Sequence, residues 1–210
     1  MRILIIAGGA APSKELMLKE FNKSDFVICA DKGGEYLTSI NKLPDMLLGD
    51  FDSIAEETLR EYEVRGVLLE KYPREKNFTD TEMCVMKALE REPDTLVLLG
   101  CLGSRLDHIM GNIGLLRLAL EKKVRAFIKD DNNIIYLADN QEKINCPSGQ
   151  IISFQAFTEE VKNLTVTSVK YPLMEYDLKS WSSYTVSNVV EKEVNISFTH
   201  GILIILLSKD

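Results

Sequence analysis

Apolar runs and amphipathic stretches alternate along the first two-thirds of the chain. Continuous apolar runs at Arg2–Ala7, Phe26–Ala30, Met46–Leu48, Val67–Leu69, Thr95–Gly100 and Val124–Lys129 predict strands. Unbroken rather than alternating runs are what parallel strands covered on both faces require. Between them, Ser13–Lys23, Lys32–Ile40, Ser53–Val64, Thr79–Glu92 and Ser104–Lys123 read as helices. Repetition of strand and helix predicts a doubly wound, mostly parallel α/β domain, assigned to residues 1–137. The pattern changes near Asp130-Asp131-Asn132-Asn133. Beyond it come short β-rich segments at Asn133–Leu137, Ile151–Ala156, Leu164–Val169, Tyr184–Val190, Val194–Phe198 and Ile202–Leu207, separated by polar or Gly/Pro punctuation. They predict a small all-β sandwich over residues 138–210, its last run, Ile202–Leu207, reading as a strand buried on both sides.

With 45% hydrophobic and 27% charged residues, the 210-residue chain has the composition of an ordinary globular protein and can bury a sizeable core in two small domains. Its formal net charge of −7 argues against a general nucleic-acid binder, which shows a basic face. It does not exclude a nucleotide substrate, since a divalent metal held by carboxylates can carry phosphate charge. Cys29, Cys84, Cys101 and Cys146 are scattered in or beside apolar runs and read as buried free thiols. With only His108 and His200 present, a histidine-rich metal site is excluded. The apolar start, Met1 to Ala7, is too short for a signal peptide and runs into Gly8-Gly9, so it reads as a first strand. No run approaches the roughly 20 apolar residues of a membrane span, and a cytoplasmic location is expected.

The polar signals fall where strands end and helices begin, which in a parallel sheet is one edge. Gly8-Gly9 follows the first strand, Asp31-Lys32-Gly33-Gly34 the second, and Gly49-Asp50-Phe51-Asp52-Ser53 the third. In an extended segment Asp50 and Asp52 would point the same way, with Phe51 facing the packing side. Gly49 permits close approach of backbone or ligand. Asp31 could join the two in one acidic cluster. Carboxylates so gathered repel unless they share a cation, and oxygen-only ligands favour Mg²⁺. Thr79 and Glu82 form a capping box with Asp80 in the first helical turn, a purely structural reading of that segment. Lys76 just upstream adds a charge suited to phosphate. Ser104 and Asp107 can cap the next helix, and Arg105 lies at its start, where backbone N–H groups favour anions. His108 and Asn112, four apart, share a helical face. No phosphate-binding glycine signature follows a strand, so any nucleotide needs another device, for which the acidic cluster with Lys76 and Arg105 is the candidate.

Ala30-Asp31-Lys32-Gly33-Gly34, Gly49 to Ser53, Lys76 with Thr79-Asp80 and Glu82, and Gly100 to Asn112 together resemble the thiamine pyrophosphokinase family, in the family's order. Lys170-Tyr171-Pro172-Leu173 and Ser187-Asn188 resemble its thiamine-binding half. Departures are Asn77 where the family usually has Asp, Ser104 for a common Gly, a glycine-poor Trp181–Val186, and Val189 for Glu. The resemblance implies transfer of the β,γ-pyrophosphoryl group of ATP to thiamine, in a homodimer with active sites between subunits. It implies Mg²⁺ held by Asp50, Asp52, Asp80 and Asp31, with phosphate oxygens neutralised by Lys76 and Arg105. Nucleotide placement falls to Gly33, Gly34, Asp107, His108 and Asn112, and the pyrimidine ring to Ser187 and Asn188. Trp181 reads as packing or as a ring that stacks on the vitamin. Two other readings stand beside this one. Asp50-Phe51-Asp52-Ser53-Ile54 also resembles the nucleophile loop of haloacid-dehalogenase-type phosphatases. A non-catalytic thiamine or nucleotide sensor would keep the fold and lose turnover.

Overall fold

The computed structural model describes residues 1–209 and divides into two compact units, Met1–Asp131 and Asn132–Asp210. Strand Asn133–Ala138 therefore belongs with the second unit. No described helix is long and apolar enough to cross a membrane.

The first unit alternates strand and helix: β1 (Arg2–Ile6), α1 (Lys14–Phe21), β2 (Phe26–Ala30), α2 (Gly33–Thr38), β3 (Met46–Gly49), α3 (Glu56–Val64), β4 (Leu68–Lys71), α4 (Asp80–Leu89), β5 (Thr95–Leu99), α5 (Leu106–Glu121) and β6 (Arg125–Lys129). All pairings here are parallel, in the order β6-β5-β1-β2-β3-β4. Registers such as Ile5↔Ile28 and Ile5↔Leu98 place the apolar runs side by side. Alternate strand residues feed opposite faces. Leu4, Ile6, Val27, Cys29, Leu47, Val97 and Leu99 pack with Met17 of α1, Leu37 of α2 and Tyr62 of α3. α4 lies against β1, β2, β3 and α5. β4 departs from the expectation of full burial: it is the edge strand, and Leu68 is 48% exposed.

The order of this sheet positions the site. The chain moves outward from β1 through β4, then returns to place β5 on the other side of β1. The loops after β1 and β5 thus diverge at a topological switch point, where open α/β sheets leave a crevice beyond the carboxyl ends of the strands.

Strands of the second unit are β7 (Asn133–Ala138), β8 (Glu142–Ile144), β9 (Ile151–Ala156), β10 (Glu160–Val169), β11 (Leu173–Lys179), β12 (Asn188–Ser197) and β13 (Leu203–Ser208). All pair antiparallel. β12 joins β9 through Asn188 and Val189, and joins β10 and β8 through later residues, while β11 packs across β9 and folds the sheet over on itself. β8 and β11 were not predicted. Both are rich in charged residues, and the β10–β11 register is broken by bulges, so neither carries an alternating signal. Tyr184–Val190 is a turn that becomes strand only at Asn188. In β13 Leu203 and Ile205 are fully buried and Ile204, Leu206 and Leu207 half-buried, so one face is fully covered and the other only in part.

Candidate active site

A cavity of about 970 Å³ opens at the switch point, lined by the loops after β1, β2 and β5 and by the first turns of α4 and α5. Its floor is fixed by backbone pairing between the two diverging loops: Ala7 N donates to Leu99 O (2.8 Å), Gly9 N to Gly100 O (2.9 Å) and Ala10 N to Leu102 O (2.8 Å). A Cβ at Gly9 would overlap the Gly100 carbonyl, so this close approach requires glycine.

Asp31 is the centre of the acidic region. It takes a left-handed backbone conformation (φ 42°) and is buried, 9% exposed. Its Oδ1 accepts a hydrogen bond from Phe51 N (3.0 Å). Burial pushes its carboxyl up to about 6; the Phe51 N–H opposes this, and the neighbouring Asp80 and Asp50 carboxylates add to it. Asp80, at the first position of α4 behind the Thr79 cap, has Lys76 Nζ 2.7 Å from its Oδ1. That Oδ1 is buried and accepts no hydrogen bond of good angle.

The segment after β3 is not extended. Phe51 has φ 65°, and Asp52 N turns back to donate to Asp50 Oδ1 (3.0 Å). The expectation that Asp50 and Asp52 project together along a strand is therefore corrected: they share a tight side-chain turn. This hydrogen bond, with Lys76 and Arg74 nearby, holds the Asp50 carboxyl below its ordinary value. Phe51 does pack against the core, as expected. Asp52 is exposed, with Arg74 Nη2 3.6 Å away. α3 begins at Glu56 rather than Ser53, which leaves Ser53 in the cavity wall.

On the far wall, Arg105 pairs with Asp107 through two contacts, Nε–Oδ1 (3.2 Å) and Nη2–Oδ2 (2.5 Å). The guanidinium holds the Asp107 carboxyl down at about 2. The predicted Ser104–Asp107 cap is absent: α5 starts at Leu106, and Arg105 stands at its N-cap position with no side-chain cap hydrogen bond. Asn112 donates from Nδ2 to Cys101 O (2.7 Å), bracing the loop after β5, and His108 lines the cavity beside it.

The cavity thus gathers Asp31, Asp80, Arg105, Asp107, His108 and Asn112 in its walls. Asp50, Asp52 and Lys76 adjoin the acidic end without lining it. Gly33 and Gly34 do not line it either. Both are buried; a Cβ at Gly33 would strike the Ile6 carbonyl, and one at Gly34 would crowd Leu47, Ile54 and Tyr62. The absence of a side chain at both positions lets α2 seat closely on the sheet. Sequence reasoning overlooked Lys32, which lines the cavity, and Tyr36, whose hydroxyl donates to Gly9 O (2.7 Å). Lys32 was visible only as a neighbour of Asp31, and a tyrosine on a helix carries no signal for such a bond.

In the second unit the Asn188 side chain is committed to the backbone of Tyr171. Its Oδ1 accepts from Tyr171 N (3.0 Å) and its Nδ2 donates to Tyr171 O (2.7 Å). Ser187, exposed and at φ 60°, donates from its N to Ser153 Oγ (2.9 Å).

The acidic donors are all oxygen, the set that a hard divalent cation prefers. The buried Asp80 Oδ1 and the crowded Asp31 carboxyl fit such an ion. Among the described residues, however, no three metal-binding groups stand close enough to hold one as they are.

Two family descriptions match this chain: Thiamin pyrophosphokinase, catalytic domain, over residues 17–128, and Thiamin pyrophosphokinase, vitamin B1 binding domain, over 134–203. The chain is 32% identical to thiamine pyrophosphokinase of Bacillus subtilis, covering 99% of both sequences. The crystal structure of thiamine pyrophosphokinase from Bacillus subtilis superposes with a TM-score of 0.89 over 100% of both chains. That of Geobacillus thermodenitrificans, 27% identical, gives 0.85 over 100% of this chain and 98% of the other. The chain belongs to the thiamine pyrophosphokinase family.

Proposed function

We propose that this protein transfers the β,γ-pyrophosphoryl group of ATP to the hydroxyl of thiamine, giving thiamine diphosphate and AMP. The carrying observation is the switch-point cavity whose acidic end is built by Asp31 and Asp80, in a chain that matches the family over nearly its whole length. The thiamine hydroxyl attacks the β-phosphorus and loses its proton, AMP departs, and both outer phosphates move as one unit. Positioning and charge neutralisation do most of the work in such transfers.

Mg²⁺ is the cation this reading calls for, held by Asp31 and Asp80 with Asp50 and Asp52 completing the set. When bound, it would neutralise charge on the phosphates. Arg105, anchored by Asp107, faces the nucleotide with His108, while Asn112 fixes the loop that carries Arg105. Lys76 holds Asp80 in place. A cytoplasmic homodimer with shared active sites is part of the same reading. It is supported by the apolar side chains that the second unit leaves in solvent, Trp181 (83% exposed), Met174 (71%) and Tyr184 (69%).

The test is an assay with purified protein, ATP, Mg²⁺ and thiamine, each omitted in turn, with products resolved by chromatography. Equimolar AMP and thiamine diphosphate, dependent on all components, is expected. ADP as the nucleotide product overturns the reading. Inorganic phosphate released without thiamine would instead mark a haloacid-dehalogenase-type phosphatase, and thiamine binding without AMP a sensor. The family match favours neither.

A further inference from the structure

The cavity is more acidic than a polyphosphate tolerates. Asp31, Asp80, Glu82 and Asp107 line it, against Lys32 and Arg105 as the permanent cations. Two of the cations nearest the phosphate region are already engaged: Arg105 by Asp107 through both of its contacts, and Lys76 by Asp80 at 2.7 Å and by Pro73 O. Lys32 is different. It is exposed at the cavity wall, and among the described residues its ammonium has no carboxylate partner.

Its surroundings are also fixed. A Cβ built on Gly8 would come within 3.3 Å of Lys32 Cβ, so the lysine stem rises beside the Gly8-Gly9 turn. One helical turn on, Tyr36 OH bonds Gly9 O (2.7 Å) and Gly8 O (3.3 Å), tying that turn to the same helix. The result is an exposed cation set beside the Gly8-Gly9 turn, which pairs with the loop after β5, and next to Asp31 at the acidic end where a metal-bearing phosphate would sit.

We propose that Lys32 is a ligand for the phosphates of the bound nucleotide, the cation that makes an otherwise acidic cavity accept a polyphosphate. This rests on the proposed transferase reading and names the residue that selects the charged end of its nucleotide. An ammonium is compact and flexible, suited to a phosphate whose oxygens shift during transfer.

The test is calorimetric titration of wild type, Lys32→Met and Lys32→Arg with ATP and with adenosine at constant Mg²⁺, alongside KM for thiamine and a melting curve for each variant. Lys32→Met is expected to weaken ATP by about 10- to 100-fold, the loss of one charged hydrogen bond. Adenosine affinity and KM for thiamine stay unchanged, and Lys32→Arg restores most of the ATP affinity. Unchanged ATP affinity in Lys32→Met overturns the proposal, as does an equal loss for ATP and adenosine. Wild type that binds ATP but forms no AMP overturns the transferase reading alone. Wild type that binds no ATP overturns both.

Discussion

Gly49 leaves empty the space that the Asp31 carboxylate occupies: a Cβ on Gly49 would overlap Asp31 Oδ1, Oδ2 and Cγ. Gly49 ends β3 and Asp31 follows the end of the adjacent parallel strand β2, and Gly49 also has φ +151°, which disfavours a side chain. Gly49→Ala should therefore destabilise the fold by about 1–3 kcal/mol through overpacking and strain. It should also lower turnover more than this loss explains, because Asp31 must move. Urea denaturation and steady-state kinetics on the same preparation check both. A variant with wild-type stability and rate would mean that Asp31 can relocate freely.

Asp31→Asn keeps the oxygen that accepts from Phe51 N, and asparagine tolerates the left-handed conformation seen there. It removes a buried carboxylate whose ionised form is disfavoured by burial and by Asp80 and Asp50. The metal-free protein should gain on the order of 1–3 kcal/mol at neutral pH, since the raised pKa measures what ionisation costs the fold. Turnover should fall by about 10²–10³, as when one electrostatic stabiliser is lost. Melting temperature and kcat moving in opposite directions is the signature; a destabilised variant contradicts the electrostatic account.

Asn188 makes three hydrogen bonds through its side chain, to Tyr171 N, Tyr171 O and Val189 N. It is 5% exposed. Asn188→Ala strands the Tyr171 backbone groups and should cost about 1–3 kcal/mol. Any loss of thiamine affinity should follow from movement of the 170–172 segment. Ser187→Ala, at an exposed position whose hydroxyl makes no bond among the described residues, should leave stability within about 0.5 kcal/mol. Denaturation midpoints of the pair separate the two roles; equal losses would refute the distinction.

Glu20, 2% exposed, holds Arg2 Nη2 (2.5 Å) and Lys129 Nζ (3.0 Å), tying α1 to β1 and β6. Burial alone would raise its carboxyl, but the Lys129 and Arg2 hydrogen bonds outweigh it and hold it below the ordinary glutamate value. With the folded pKa lowered, the unfolded chain takes up the proton first. The stabilisation is thus complete above the ordinary glutamate range and is lost as pH falls through the lowered value. Glu20→Gln should cost about 3–5 kcal/mol at neutral pH, the toll of two stranded cations. That deficit should shrink steadily in acid. A deficit independent of pH between neutrality and acid would show that packing, not charge, accounts for it.

The alternation of unbroken apolar runs with amphipathic stretches was enough to read the parallel α/β unit, because burial on both faces demands continuous apolar strands. The glycine- and aspartate-bearing loops were legible for a related reason: tight turns and cation sites restrict residue type. The β-rich half was legible in kind but not in detail, since charged edge strands such as β11 and bulged ones such as β10 lose their period. What the chain alone could not decide was the direction of individual side chains. The i, i+2 geometry imagined for Asp50 and Asp52 depended on backbone angles that the positive φ of Phe51 overrides. The meeting of Asp31 with Asp80, and of Gly9 with Gly100, depends on β5 crossing to the far side of β1. Such encounters join residues dozens of positions apart, and only the tertiary packing that closes those loops determines them.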